Sequence, residues 1–516
     1  MIKTLAFLAA VLLTVAPAWA DSPVPCVRML GDFWGETPPP TDIKTIDGTS
    51  FKSPETLAIA VGEGAVVQGG NFSEWDFRNV ALRNACFVDA DLKGSVWNGA
   101  RTPGIGFVRS DLSQSTMTAM RAPHVLFRDS VLTNVKAEKA DFSGGLFEGG
   151  WFEGSVDGWN IDGANLTDFH FSCGITLSDG CPLYSGDKRM SARGANLTHA
   201  RLSSFHPYGL MDIELAGATF DRTELSPAQL VSLTAQSLAH PIILIGGDDR
   251  VELSPQDAMA LIADSTAYTA RNDGPSFDCT KAKSEVERLL CSSTAGDLAT
   301  ADRHLGALFA QAGQQPALIA EQRRWLRQRD SCMQEAYPTD CLRTVYHDRI
   351  GVLLGKLGER DWLAKGQRAL FIDDALPLSD VMRSTALFRR IAPVLARSSM
   401  AYVFVARGSD GSYRALGEAV GANAHTCSLD ASDLRLDRTN GWYGVAVPGK
   451  QQTARILQVA GDELQVFASG RPSGDSIEAS LDYMSCGARA AFGRLRRIDL
   501  PADLVRQYID QASSVR

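Results

Sequence analysis

Ten cysteines, Cys26, Cys86, Cys173, Cys181, Cys279, Cys291, Cys332, Cys341, Cys427 and Cys486, are the side chains of this chain best suited to covalent chemistry. A thiol can serve as nucleophile, zinc ligand or half of a disulfide, and spacing separates the three. No Cys-x-x-Cys occurs, and no spacing matches a zinc knuckle. The cysteines fall instead into couples: Cys173 with Cys181, Cys279 with Cys291, Cys332 with Cys341, and the wider Cys427 with Cys486, leaving Cys26 for Cys86. An even number so arranged predicts disulfides and an oxidising compartment, with no thiol left as a nucleophile. His425, two residues from Cys427, is expected to be a surface histidine beside a disulfide rather than a ligand.

Other chemistry is sparse. No G-x-S-x-G, P-loop, G-x-G-x-x-G or H-E-x-x-H occurs, and the eight histidines are scattered. Gly246-Gly247-Asp248-Asp249 reads as a polar turn rather than a metal or phosphate loop. Plentiful Asp and Glu leave a two-carboxylate hydrolase as a remote alternative. The expectation is a non-enzymatic protein with no catalytic residue, cofactor or metal.

The first twenty residues, "MIKTLAFLAAVLLTVAPAWA", place Lys3 before an apolar run that ends in Ala18-Trp19-Ala20. That is the pattern of a secretory signal peptide (1–20), so the mature protein is expected to be periplasmic or secreted. No later stretch is apolar enough to predict a membrane span. Losing Lys3 takes the formal charge from −9 to −10, and this thin acidity argues against nucleic acid as a partner. With 516 residues, 45% hydrophobic and 22% charged, the chain has material for several cores.

The elements that must carry these cysteines begin with an unusual rhythm. In "NFSEWDFRNVALRNACFVDADL" (71–92) an apolar side chain recurs every fifth residue: Phe72, Phe77, Leu82, Phe87, Leu92. Neither a helix (3.6) nor a strand (2) has that period. The register runs on through Trp97, Phe107, Leu112, Met117, Phe127, Leu132, Phe142, Phe147 and Phe152, with weak steps at Thr102, Ala122 and Ala137. It then slips back by one to Val156, Ile161, Leu166 and Phe171, and resumes at Leu197 and Leu202, with Phe220 and Leu225 as expected last steps. Positions two before each centre are small, as at Ala85, Ser95, Ser110 and Ala140. If each pentad forms one side of a square and about four close a turn, stacked turns pair backbone to backbone and bury a Phe/Leu ladder. "ADLKG" (90–94), "SDLSQ" (110–114), "ADFSG" (140–144), "ANLTD" (164–168) and "ANLTH" (195–199) resemble the A-(D/N)-L-x-x unit of pentapeptide-repeat proteins. The resemblance implies a right-handed quadrilateral β-helix over 71–230, preceded by an N-terminal cap region (21–70). Family members that mimic DNA are more acidic than residues 71–225, which hold 14 Lys+Arg against 19 Asp+Glu. The coil is therefore expected to be a rigid spacer or an interaction surface, including one for homodimerisation.

A helical link (231–270) follows, in which "ELSPAQLVSLTAQS" (224–237) is echoed by "ELSPQDAMALIADS" (252–265), each with a Ser cap and Pro at the first helical position. "HPIILIGGDDR" between them predicts a short buried strand or turn. From 271 to 358 the pattern is helical: Ser284…Glu287 is a capping box, and Leu298, Leu305 and Leu308, then Leu318 and Trp325, then Leu342, Tyr346, Ile350 and Leu353 mark successive inward faces. Phe277, Asp278, Cys279, Glu287, Cys291, Glu321-Gln322-Arg323, Trp325, Arg329, Asp330, Cys332, Cys341, Tyr346 and Arg349 together resemble the LprI-like lysozyme inhibitor family. The resemblance implies a small disulfide-pinned helical bundle that binds and blocks lysozyme. Phe277, Trp325, Arg329, Asp330, Tyr346 and Arg349 nonetheless have the character of structural residues, and 276–357 holds 11 Lys+Arg against 10 Asp+Glu, which gives a cationic enzyme little steering.

Residues 359–400 read as a helical or loop-rich connector. From 401 to 516 alternating runs such as "AYVFVARG" and "SYRALGEAVG", with turn signals "GSDGS" and "AGDE", predict a small β-rich domain tied by Cys427 and Cys486. It resembles the β tail that follows LprI-like modules. The whole is expected to be a secreted or periplasmic binding protein that inhibits lysozyme, with an envelope scaffold serving another partner and inhibiting nothing as the alternative.

Overall fold

The five-residue rhythm is a β-solenoid of about eight turns. The structure, a computed structural model, describes Cys26, residues 43–501 and Val505, except 173–189, 203–212, 234–236, 273, 293–295, 314, 359–361, 422–424, 439–440, 447–452, 468–482 and 488–491. The expected signal peptide and the Cys173–Cys181 couple lie outside the described residues. Two compact units divide the chain, with the change from first to second at Thr223/Glu224.

In the first unit every pentad centre from Phe72 to Phe171, with Leu197, Leu202 and Phe220, is buried. Turns repeat at 20 residues, so Phe87 lies over Phe107 and Phe107 over Phe127 in parallel register. Their rings stack at centroid distances of 5.7 and 5.5 Å. After Phe152 the turn shortens to 19 residues, which is the slip in the sequence register. Here Gly154 is required: at φ 159° a Cβ would come within 2.0 Å of the Val135 carbonyl oxygen.

The second residue of the pentad unit has a local task. Asn71, Asp76, Asp91, Asp111, Asp141, Asn165 and Asn196 each accept, through the side-chain oxygen, the backbone N–H two residues on. These Asx turns hold the corners at which they occur. Backbone hydrogen bonds between turns, such as Phe77 N–H to Val96 O at 2.8 Å and Trp97 N–H to Thr116 O at 2.7 Å, close the ladder.

The coil starts earlier than residue 71. Strand Thr45–Asp47 already pairs in parallel with Ala65–Gln68, and Ala65–Gln68 with Ala85–Val88. The helix Pro54–Val61 between them breaks the five-residue register, which is why the sequence hides this first part. Cys26 bonds to Cys86 on the outside of the sheet and packs with Val66, Val88, Val108 and Leu126. Gly106 leaves the space, since a Cβ there would lie 2.2 Å from the Cys26 Sγ.

Thr102 is the weak step inside this apolar tube. It is fully buried, and its hydroxyl has no hydrogen-bond partner. Thr102→Val keeps the shape and removes the unsatisfied group, so it should stabilise the solenoid by about 1 kcal/mol, read as a raised thermal midpoint.

The second unit begins with a difference from the sequence reading. Leu225 is buried, but as part of strand Glu224–Leu225, which pairs with Ile242–Gly246 and, through it, the antiparallel Asp249–Leu253. Among the described residues of the first expected link helix, Pro227–Leu230 are α-helical, whereas Pro255–Asn272 forms in full. The Gly-Gly-Asp-Asp segment is the hairpin turn, and Asp249 faces Arg397 at 3.6 Å.

The bundle consists of Glu285–Leu290, Gly296–Gln311, Pro316–Ser331 and Pro338–Leu357. Val286, Leu298, Leu305, Leu318, Trp325, Leu342, Tyr346 and Ile350 form its core. Cys279–Cys291 and Cys332–Cys341 are bonded as couples.

The β-rich domain is an eight-stranded antiparallel barrel. The strand order runs Tyr413–Val420, Ala401–Arg407, Arg368–Asp373, Arg494–Ile498, Glu463–Val466, Thr453–Ala460, Trp442–Ala446, Thr426–Asp437 and back to Tyr413–Val420. Arg368–Asp373 lies in the stretch expected to be a connector. It is a barrel strand, so the β domain begins before 401, and the rest of that stretch supplies helices Asp380–Arg383 and Ala386–Arg397. Phe371, Val403, Tyr413, Leu429, Leu457 and Leu495 fill the interior. Cys427 stands directly opposite Cys486 on the added strand Met484–Cys486, and the two are bonded.

Candidate functional site

The family-motif residues converge in the bundle, where they form one polar network around Tyr346 and, apart from it, a second cluster around Arg349. Asp302, buried on helix Gly296–Gln311, accepts the Tyr346 hydroxyl at 2.7 Å and the Ser276 hydroxyl at 2.6 Å. Arg329 donates from Nη1 to the Tyr346 oxygen at 3.3 Å and from Nη2 to Asp330 at 2.7 Å. Arg349 donates to Glu321 at 2.5 Å and to Gln322 at 2.8 Å. Trp325 meets the Tyr346 ring edge-on at 5.2 Å and donates its indole N–H to the Val345 carbonyl at 3.3 Å. Burial, reinforced by Asp302, pushes the Tyr346 phenol far above its ordinary value. It therefore stays a neutral donor, and the network holds three helices in register. Hydrogen bonds from Arg349 likewise hold the Glu321 carboxyl below its usual range.

Two grooves flank helix Pro316–Ser331. The larger, about 480 Å³, has apolar walls from Phe277, Leu305, Phe309 and Leu326. The smaller, about 340 Å³, is lined by Arg324, Gln328, Val345 and Val352 among others. The neighbouring helices face the barrel instead. Asp348 pairs with Arg455 at 2.5 Å, His347 Nε2 meets Gln465 at 2.9 Å, and His304 lies 3.9 Å from Glu463. Gly441 sits so near the bundle that a Cβ would be 2.4 Å from the Gly351 carbonyl oxygen. Helix Pro316–Ser331 thus turns Arg323, Arg324, Arg327 and Gln328 outward, away from its buried Leu318, Trp325 and Arg329.

Phe277 lies at the larger groove, while Trp325, Arg329, Tyr346 and Arg349 lie inside the bundle and Asp330 at its edge. Sequence reasoning missed Asp302, the acceptor at the centre of the network. Its signal is a carboxylate one position after the inward Ala301, where an apolar face should be dry. His425 stands beside Gly487, next to the Cys427–Cys486 bond. Among the described residues no three His, Cys, Asp or Glu side chains gather as metal ligands.

Comparison with known proteins places the solenoid. The family model for pentapeptide repeats matches in eight copies, with residues 63–96 matched. The chain carries a pentapeptide-repeat solenoid. Solved relatives include HetL, a pentapeptide-repeat protein involved in heterocyst differentiation regulation from Nostoc sp. strain PCC 7120. It is 20% identical, over 33% of this chain and 81% of HetL, with a TM-score of 0.19. Rfr23, a pentapeptide-repeat protein from Cyanothece 51142, is 16% identical over 33% of this chain and 95% of its own, with a TM-score of 0.17. The chain is also similar to lipoprotein LprI of Mycobacterium tuberculosis and of Mycobacterium bovis, 34% identical over 85 residues. That is 16% of this chain, and it spans about two fifths (42%) of the length of those relatives.

Proposed function

We propose that this is a non-enzymatic, extracytoplasmic binding protein in which the helical bundle is the recognition module and the pentapeptide-repeat solenoid a rigid scaffold. The observation that carries this reading is the use of the polar side chains inside the bundle. Arg329, Tyr346 and Asp302 are spent on one another and Arg349 on Glu321 and Gln322, and this holds rigid a helix that turns Arg323, Arg324, Arg327 and Gln328 outward, beside the larger groove. Such a module is built for presenting a surface. The bonded cysteine couples and the likeness to a lipoprotein support a location outside the cytoplasm.

Lysozyme is the target that the bundle's family resemblance implies, and the apolar walls of the larger groove are its proposed seat. The test is titration of the oxidised full chain into muramidase assays with c-, g- and i-type enzymes. A dose-dependent loss of activity is expected. Unchanged rates with all three would overturn lysozyme as the partner and leave the protein as an envelope scaffold for another.

A further inference from the structure

The carboxylates that line the two grooves beside helix Pro316–Ser331 are already partnered. Glu287 accepts the backbone N–H groups of Lys283 and Ser284, and Asp302 the hydroxyls of Ser276 and Tyr346. Asp330 pairs with Arg329, Glu321 with Arg349 and Lys356, and Asp348 with Arg455. Three cations on the same helix are not. Arg323, Arg324 and Arg327 are exposed, and among the described residues no carboxylate lies within ion-pair distance of them. Their spacing of i, i+1 and i+4 gathers them on one side of the helix within about 6 Å along its axis. Arg324 also edges the smaller groove, where Arg349, only 4% exposed, has its Nη2 without a hydrogen-bond partner. Against a chain of net charge −9, this face has a local excess of positive charge.

We propose that this face binds a linear polyanion, a chain molecule carrying phosphate groups. Guanidinium groups grip phosphate oxygens in pairs, which a point charge cannot do. A membrane surface fits less well, because the helix exposes no large apolar side chain that could enter a bilayer. The groove beside Arg324, by contrast, gives a chain a place to lie. The proposal does not rest on lysozyme as a target, since the larger groove proposed for that enzyme is not lined by Arg323, Arg324 or Arg327.

The probe is inorganic polyphosphate, titrated calorimetrically into the oxidised full chain across a salt series. Binding is expected at low salt, with log affinity falling against log salt at a slope of about −2 for three contacts. The variant carrying Arg323→Gln, Arg324→Gln and Arg327→Gln together should bind at least about tenfold more weakly, with an unchanged thermal midpoint because none of the three has a partner to lose. Absence of binding at low salt, or binding that the triple variant leaves intact, would overturn the proposal. So would equal affinity for polyglutamate, which would remove phosphate as the recognised group. Tighter attachment to vesicles of anionic phospholipid than to polyphosphate would assign the face to a membrane instead.

Discussion

Replacing Phe107 by alanine should destabilise the solenoid by about 3–5 kcal/mol. Phe107 is fully buried between Phe87 and Phe127, and Trp97 meets it edge-on at 5.6 Å. Truncation removes three ring contacts and opens a cavity that stacked turns cannot close, because each turn is pinned at 20-residue register by its neighbours' backbone hydrogen bonds. A solenoid has no remote contacts to share the loss, so the defect falls on two adjoining interfaces. Phe107→Leu, which keeps most of the volume, should lose far less. Urea unfolding followed by far-ultraviolet circular dichroism measures both. An alanine variant unfolding at the wild-type midpoint would mean that the aromatic ladder is not what holds the coil.

The sequence discloses the solenoid because its signal is local and periodic. Each pentad supplies its own inward residue and its own Asx turn, so Phe72 through Phe171 can be placed without knowing what they touch. The barrel is different. Arg368–Asp373 becomes a strand only because Ala401–Arg407 and Arg494–Ile498 pair with it on either side, the second more than a hundred residues away. "RALFID" therefore has no alternation that marks it, and neither does "RLRRI". Thr426–Asp437 does alternate in burial along much of its length. The candidate site was legible by half. Arg329, Tyr346 and Arg349 read as structural residues, and the structure places them in hydrogen bonds within the bundle. Which helix would face outward depends on where the barrel docks, through Asp348–Arg455 and Gly351–Gly441, and such pairings across the fold leave no trace in a local pattern.

Arg496 is another residue that only the fold makes important. It sits on strand Arg494–Ile498 with 7% of its side chain exposed and joins four segments of the second unit. Nε donates to Asp462 at 2.6 Å, Nη2 to Asp380 at 2.7 Å and Nη1 to the Leu378 carbonyl at 2.6 Å, while Asp374 lies 3.6 Å away. The guanidinium also stands 5.0 Å from the Tyr268 ring centroid, on helix Pro255–Asn272. Arg496→Ala removes the cation from the half-buried Asp374 and Asp462 carboxylates, while Asp380 is exposed and screened, so it should cost about 2–3 kcal/mol at neutral pH. The pH dependence has a definite sign. Burial pushes the Asp374 carboxyl up to about 6 against an unperturbed 3.8, with Arg496 the main group pulling it down. The folded protein therefore binds this proton more tightly than the unfolded chain, and the contribution of Asp374 is lost as pH rises from about 4 to about 6. Without Arg496 the carboxyl moves higher still, so the variant regains part of its loss when protonated. The deficit measured by urea unfolding should be larger at pH 7.5 than at pH 5. A deficit that is the same at both, or larger in acid, would show that Arg496 acts through packing on Tyr268 rather than by neutralising Asp374.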